Sequence, residues 1–236
     1  MLALYIANKN YSSWSLRPWV LMTELGIAFE ERLAPFGTSA EPHKFRAFSP
    51  NGKVPCLVDG ANVVWDSLAI IEYLAELEAQ VWPRNAAARA WARCAAAEMH
   101  SGFTALRNLC TMNCGVRIRI EPFPEELLAD WKRVAELWSE GLARFGGPFL
   151  AGDRFTAADA FFAPVAFRAQ TYSPPLPKAC QRYVERLLDL PSMRAWYDDA
   201  LDEPWREEHH EAEARRAGFW LSDLRRPERP APSSAH

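Results

Sequence analysis

The chain has 236 residues, enough for one large domain or two small ones with a real core and no need of disulfide staples. Hydrophobic residues make up 49% and charged residues 24%, which excludes wholesale disorder. The net charge of −3 offers no field for nucleic acid or a lipid surface, and no apolar run reaches the ~18 residues a spanning helix needs.

In chain order, Met1–Ala7 is apolar without a basic flank and reads as a strand rather than a signal peptide. Helical spacing of Leu16, Trp19, Val20 and Leu21 follows over 15–25, stopped by Gly26. Residues 28–33 read as a second strand and 41–48 as a short helix before the turn Ser49-Pro50-Asn51-Gly52. Strands over 56–58 and 62–64 flank the hairpin signal Asp59-Gly60, and Leu68, Ile71, Leu74 and Ala75 mark a helix over 67–79. A strand-helix-strand opening demands a parallel pair with a right-handed crossover. Beyond Pro83 the strand signal ends. Helices are expected over 87–113, 124–145, 157–171, 178–189, 192–202 and 205–216. The organisation read here is an α/β domain over 1–80, a helical domain over 87–222, and a disordered proline-rich tail over 223–236.

The five cysteines, Cys56, Cys94, Cys110, Cys114 and Cys180, are odd in number and scattered, which points to a reducing, cytoplasmic setting. Cys110 and Cys114 share a helix face, yet no partners complete a tetrahedral site, so they read as small core residues and no metal is expected.

Four segments carry candidate chemistry. The turn Tyr11-Ser12-Ser13-Trp14-Ser15-Leu16-Arg17 sets hydroxyls and unpaired N–H groups at a helix N-terminus, which suits either an anion or ordinary capping. In Lys53-Val54-Pro55, a cis bond would turn the Val54 backbone toward a peptide lying alongside, whereas a trans proline would simply open an edge strand. Asp66-Ser67 opens an apolar helix, either as a cap or as a grip for an ammonium and a carboxylate. Thr156 and Asp159 have capping-box spacing, with Phe155 and Ala160 as an apolar staple.

Together these segments resemble the glutathione transferase superfamily over roughly residues 2–222. Ser12-Ser13-Trp14-Ser15-Leu16-Arg17 is similar to the zeta-class serine motif Ser-Ser-Cys-Ser-Trp-Arg, with Trp14 where that motif has cysteine. Ser49 through Pro55 resembles the loop before the family's cis-proline, and Asp66-Ser67 its γ-glutamyl-binding pair. The segment from Ala97 to Phe103 resembles the helix that walls the electrophile pocket in bacterial members.

The resemblance implies an α/β thioredoxin-like N-terminal domain followed by an all-α helical C-terminal domain. It implies a homodimeric detoxification enzyme that activates the thiol of its co-substrate glutathione for transfer to a small hydrophobic electrophile. Ser12 is the expected thiolate donor, with Ser13 second and Ser15 assisting. Trp14, Lys53, Val54, Pro55, Asp66 and Ser67 are expected to bind glutathione, and Met99, His100 and Phe103 to line the electrophile pocket. The alternatives are a maleylacetoacetate-type isomerase, a glutathione peroxidase, and a non-catalytic glutathione-binding or scaffold protein.

Overall fold

The computed structural model of the protein describes residues 1–37 and 43–227. The chain opens with β1 (Leu2–Ile6), α1 (Ser13–Glu24) and β2 (Phe29–Leu33), and β2 returns parallel to β1. The hairpin β3 (Cys56–Asp59) and β4 (Asn62–Trp65) turns at Gly60, whose φ of +59° favours a residue without a Cβ. The sheet order is β2-β1-β3-β4, with β3 antiparallel to β1, and α2 (Ser67–Leu77) follows. Of the short helix expected over 41–48, Lys44–Ala47 is a single 3-10 turn, and residues 41 and 42 lie outside the described residues. This is the thioredoxin-like arrangement.

The second half contains α3 (Ala86–Ser101), α4 (Thr104–Leu109), β5 (Val116–Arg119), α5 (Glu125–Phe145), α6 (Ala157–Tyr172), α7 (Lys178–Leu188), α8 (Pro191–Asp202), α9 (Glu208–Ala217) and β6 (Phe219–Asp223). At its centre, α6 is buried at every position but Gln170, because its sequence is apolar all round rather than striped. Its start carries the expected capping box. Thr156 N–H donates to Asp159 Oδ2 at 3.0 Å, while Asp159 Oδ1 accepts from Leu150 N–H and the Tyr183 hydroxyl. Burial pushes this carboxyl up to about 6 against those hydrogen bonds.

Three local expectations are corrected. The helix expected over 87–113 is two helices, broken at Gly102-Phe103. A Cβ at Gly102 would lie 2.9 Å from the Glu98 carbonyl oxygen, and Phe103 takes φ 60°. The helical half also contains an antiparallel ribbon of β5 and β6. The tail expected from 223 begins packed: Arg225 is buried and Arg226 pairs with Asp202, whereas 228–236 lie outside the described residues.

All five cysteines are free; Cys94 is exposed and the others are buried. Burial pushes the Cys110 thiol up to about 12 and Cys114 higher, so neither is a thiolate at neutral pH. No helix among the described residues is long and apolar enough to cross a membrane.

Candidate functional site

A cavity of about 460 Å³ lies where the turn after β1 meets α4, α6 and α9. Ser12 is the N-cap residue of α1, but its hydroxyl is not used as a cap; it donates to Ser15 Oγ at 2.7 Å. Ser15 is fully buried and also accepts the Ala7 N–H at 3.2 Å, tying the turn to the end of β1. A hydroxyl hydrogen rotates to suit its surroundings. With Ser15 donating to Ser12 instead, the Ser12 hydrogen is free to point into the cavity. The N–H groups of Trp14 and Ser15 have no acceptor among the described residues, as expected for the first turn of a helix.

Ser12, Ser13, Trp14, Lys53 and Val54 all line this cavity. The Val54–Pro55 bond is cis, and among the described residues the Val54 N–H and C=O make no hydrogen bond. Pro55 is buried behind Val54, and Lys53 is exposed at the rim. Ser15 is therefore a positioning group rather than a cavity residue.

Asp66 and Ser67 stand apart from the cavity wall. Asp66 caps α2, accepting the Leu68 N–H at 2.8 Å, and takes φ 76° with ψ 135°, a backbone conformation that residues with a side chain rarely adopt. Ser67 is buried and accepts from Arg17 Nη1 at 3.3 Å. Arg17 is fully buried, and its guanidinium lies 4.2 Å from the Trp14 ring centre. The Arg107 guanidinium lies 4.6 Å from the same ring centre. Burial, then Arg107 and Arg168, pulls the Arg17 pKa well below its usual range.

The expected electrophile wall is not where the cavity opens. Met99 and Phe103 belong to the core, because α3 turns them inward just before its break. His100 faces the other domain: its Nε2 lies 3.5 Å from Asp66 Oδ2, and its ring meets Trp14 edge-on at 5.3 Å. Burial, outweighing Asp66, lowers its pKa.

The wall is made instead by Arg107, Asn108, Thr111 and Met112 after the helix break, by Arg168 from α6, and by His210 and Glu213 from α9. Arg168 is buried and donates to the Cys110 carbonyl, the Pro164 carbonyl and Ser13 Oγ, none of them a carboxylate. Burial, with Arg107 adding repulsion, lowers its pKa to about 10, so it stays charged at neutral pH. The available signal for Arg168 was one arginine in an otherwise apolar run; nothing local in the sequence marks His210. A larger cavity of about 780 Å³ opens between Trp82, Phe145 and Phe155, but none of the serines nor Val54 reaches it.

A strand edge with a free backbone at Val54, a hydroxyl turn at a helix N-terminus and a wall carrying Arg107 and Arg168 meet at one cavity of a thioredoxin-like fold. The family model for the N-terminal domain of glutathione S-transferase matches residues 11–77, and that for its C-terminal domain matches residues 119–199. The chain belongs to the glutathione S-transferase family, whose members are transferases. It is similar to a probable maleylacetoacetate isomerase of Caenorhabditis elegans, at 26% identity over 204 residues covering 83% of this chain and 92% of that protein. Among solved structures it is similar to a glutathione transferase homologue from Burkholderia gl BGR1 with bound glutathione. That likeness has 25% identity and a TM-score of 0.64, covering 84% of this chain and 97% of the other. A theta-class glutathione S-transferase from Xanthomonas axonopodis pv. citri, also with glutathione bound, gives 25% identity and a TM-score of 0.60. It covers 83% and 96% of the two chains.

Proposed function

We propose that the protein binds glutathione in the cavity beside Ser12 and transfers its sulfur to a small electrophile, with residues 1–80 holding the tripeptide and 87–222 the acceptor. The observation that carries this reading is the convergence of Ser12, whose hydroxyl is not used as a cap, of Trp14 with its unpaired N–H, and of the free Val54 backbone on one cavity. Val54 pairs with the cysteinyl backbone as an added strand would. Asp66 and Ser67 take the γ-glutamyl end, and Lys53 the glycyl carboxylate.

A free thiol of pKa ~8.5 is only a few per cent thiolate at neutral pH. Lowering that value by about two units takes roughly 2.7 kcal/mol of preferential thiolate stabilisation. One hydroxyl hydrogen bond to a charged acceptor supplies ~1.5–3 kcal/mol and a helix N-terminus ~0.3–1, so Ser12 and the start of α1 suffice.

A second reading, glutathione-dependent isomerisation of an unsaturated acid, is supported by the relative from Caenorhabditis elegans and by Arg107 and Arg168, which suit a carboxylate. The homodimer is supported by exposed Val63, Trp65 and Leu77 on β4 and α2. Titrating the thiolate absorbance of bound glutathione tests the donor. Ser12→Ala raises the pH at which the thiol ionises and slows conjugation about tenfold or more, and Ser13→Ala has the smaller effect. If neither variant changes either quantity, the seryl turn is not the activating group.

A further inference from the structure

The cavity of about 780 Å³ lies outside the site beside Ser12. It opens at the junction of the two halves, where the segment joining α2 to α3 passes the end of α5 and the start of α6. Its size falls within the ~300–1,000 Å³ of small-molecule sites. Part of its lining is aromatic and already held in place. Trp82 and Phe155 are buried; Phe155 packs edge-on against Phe149 at 5.8 Å, and Phe145 against Trp91 at 5.5 Å. A Cβ at Gly146 or Gly152, which also line it, would meet no atom within 4 Å, so these turns border open space.

The charge around the same cavity is unbalanced. Arg84, Arg144 and Arg154 line it against one carboxylate, Asp153. Arg144 is taken by Glu140 at 3.1 Å. Among the described arginines, Arg84, Arg154, Arg182 and Arg216 are the ones whose side chains make no hydrogen bond, ion pair or ring contact, and the first two border this one cavity. Ala87, in the first turn of α3, adds a backbone N–H with no acceptor among the described residues. Solvation alone accounts for an isolated exposed arginine. It does not account for two unpaired guanidiniums beside a preformed aromatic lining with a single opposing acid.

We propose that this cavity is a second binding site, for a planar aromatic molecule that carries a phosphate. The ring packs against Trp82, Phe145 and Phe155, where apolar burial and ring contacts hold it. The phosphate pairs with Arg84 and Arg154, because a guanidinium presents paired N–H groups that match phosphate oxygens, and two of them balance a dianion. Neither half of such a ligand suffices, since ion pairs at exposed arginines are weak until the ring fixes their geometry. The site stands whether or not glutathione occupies the other cavity.

Calorimetry with α-naphthyl phosphate tests the assignment, with α-naphthol and inorganic phosphate as its separate halves. Wild type is expected to bind the aryl phosphate about tenfold or more tightly than either half. Arg84→Gln and Arg154→Gln should each weaken that binding about tenfold, and the double variant about a hundredfold. Arg182→Gln removes an equally unpaired guanidinium that does not border the cavity, and should leave the affinity unchanged. All three arginines are exposed, so the variants keep the fold, which circular dichroism verifies. Four results would each overturn the proposal: a double variant that binds as wild type does, an equal loss in Arg182→Gln, inorganic phosphate bound as tightly as the aryl phosphate, or no binding by wild type at millimolar ligand. The first of these would assign the aryl phosphate to the cavity of Arg107 and Arg168 instead.

Discussion

Arg168 carries a charge into the centre of the helical half with only carbonyl and hydroxyl oxygens for partners. A buried guanidinium without a carboxylate is expensive to keep, and such strain is commonly retained where function uses it. Its Nη2 reaches Ser13 Oγ at 3.4 Å, which couples its charge to the turn proposed to receive the thiol. Arg168→Met should therefore raise the pH at which bound glutathione ionises and lower kcat/KM about tenfold, equivalent to roughly 1.4 kcal/mol. Ultraviolet titration of the bound thiol and the rate profile check this together; no change in either would confine Arg168 to a structural role. Of the cavity residues, Ser12, Ser13, Lys53 and Val54 were legible in the sequence because each sits in a short turn whose chemistry is local. Arg107, Arg168 and His210 were not. They come from three different helices, and only the packed fold brings them to the same wall.

Among the elements, α5 shows how tightly the helical half is fitted. A Cβ at Gly141 would stand 2.5 Å from Trp91 Cη2 and 2.6 Å from the Leu150 carbonyl oxygen. The backbone at Leu150 is held by Asp159, so it has little freedom to yield. Gly141→Ala gains up to about 1 kcal/mol of helix propensity but meets an overpacking penalty of about 1–3 kcal/mol. A net loss near 1 kcal/mol, read as a lower denaturation midpoint in urea with an unchanged slope, is the expected outcome. The long amphipathic helices and the capping box at Thr156 were readable from periodicity and spacing. The break at Gly102 was not, because alanine-rich sequence on one side and Leu106 and Leu109 on the other continue a plausible helical pattern. Nor was the ribbon of β5 and β6, whose strands are only four and five residues long and find each other across the whole second half.

For the molecule as a whole, carboxylates from the C-terminal third anchor the turn that follows β1. Glu203 accepts the backbone N–H groups of Lys9 and Asn10. Burial pushes its carboxyl up to about 7 despite those hydrogen bonds. The folded chain thus binds this proton more tightly than the unfolded chain, whose ordinary value is 4.5. The stability contributed by Glu203 is fully present below pH 4.5 and is lost as pH rises through about 7. Between those limits the wild type should lose about 3 kcal/mol relative to Glu203→Gln. Urea unfolding of both proteins at the two ends of the window measures the difference, and parallel pH dependences would exclude Glu203 as its source.

Tyr11 and Arg225, 214 residues apart, share the Glu211 carboxylate beneath the seryl turn. On the ribosome the amino-terminal sheet emerges first and can collapse early. The turn after β1, however, stays without this support until residues 211 and 225 have been translated. A nascent chain that has not yet reached Arg225 therefore lacks the clasp that holds the seryl turn in its folded setting.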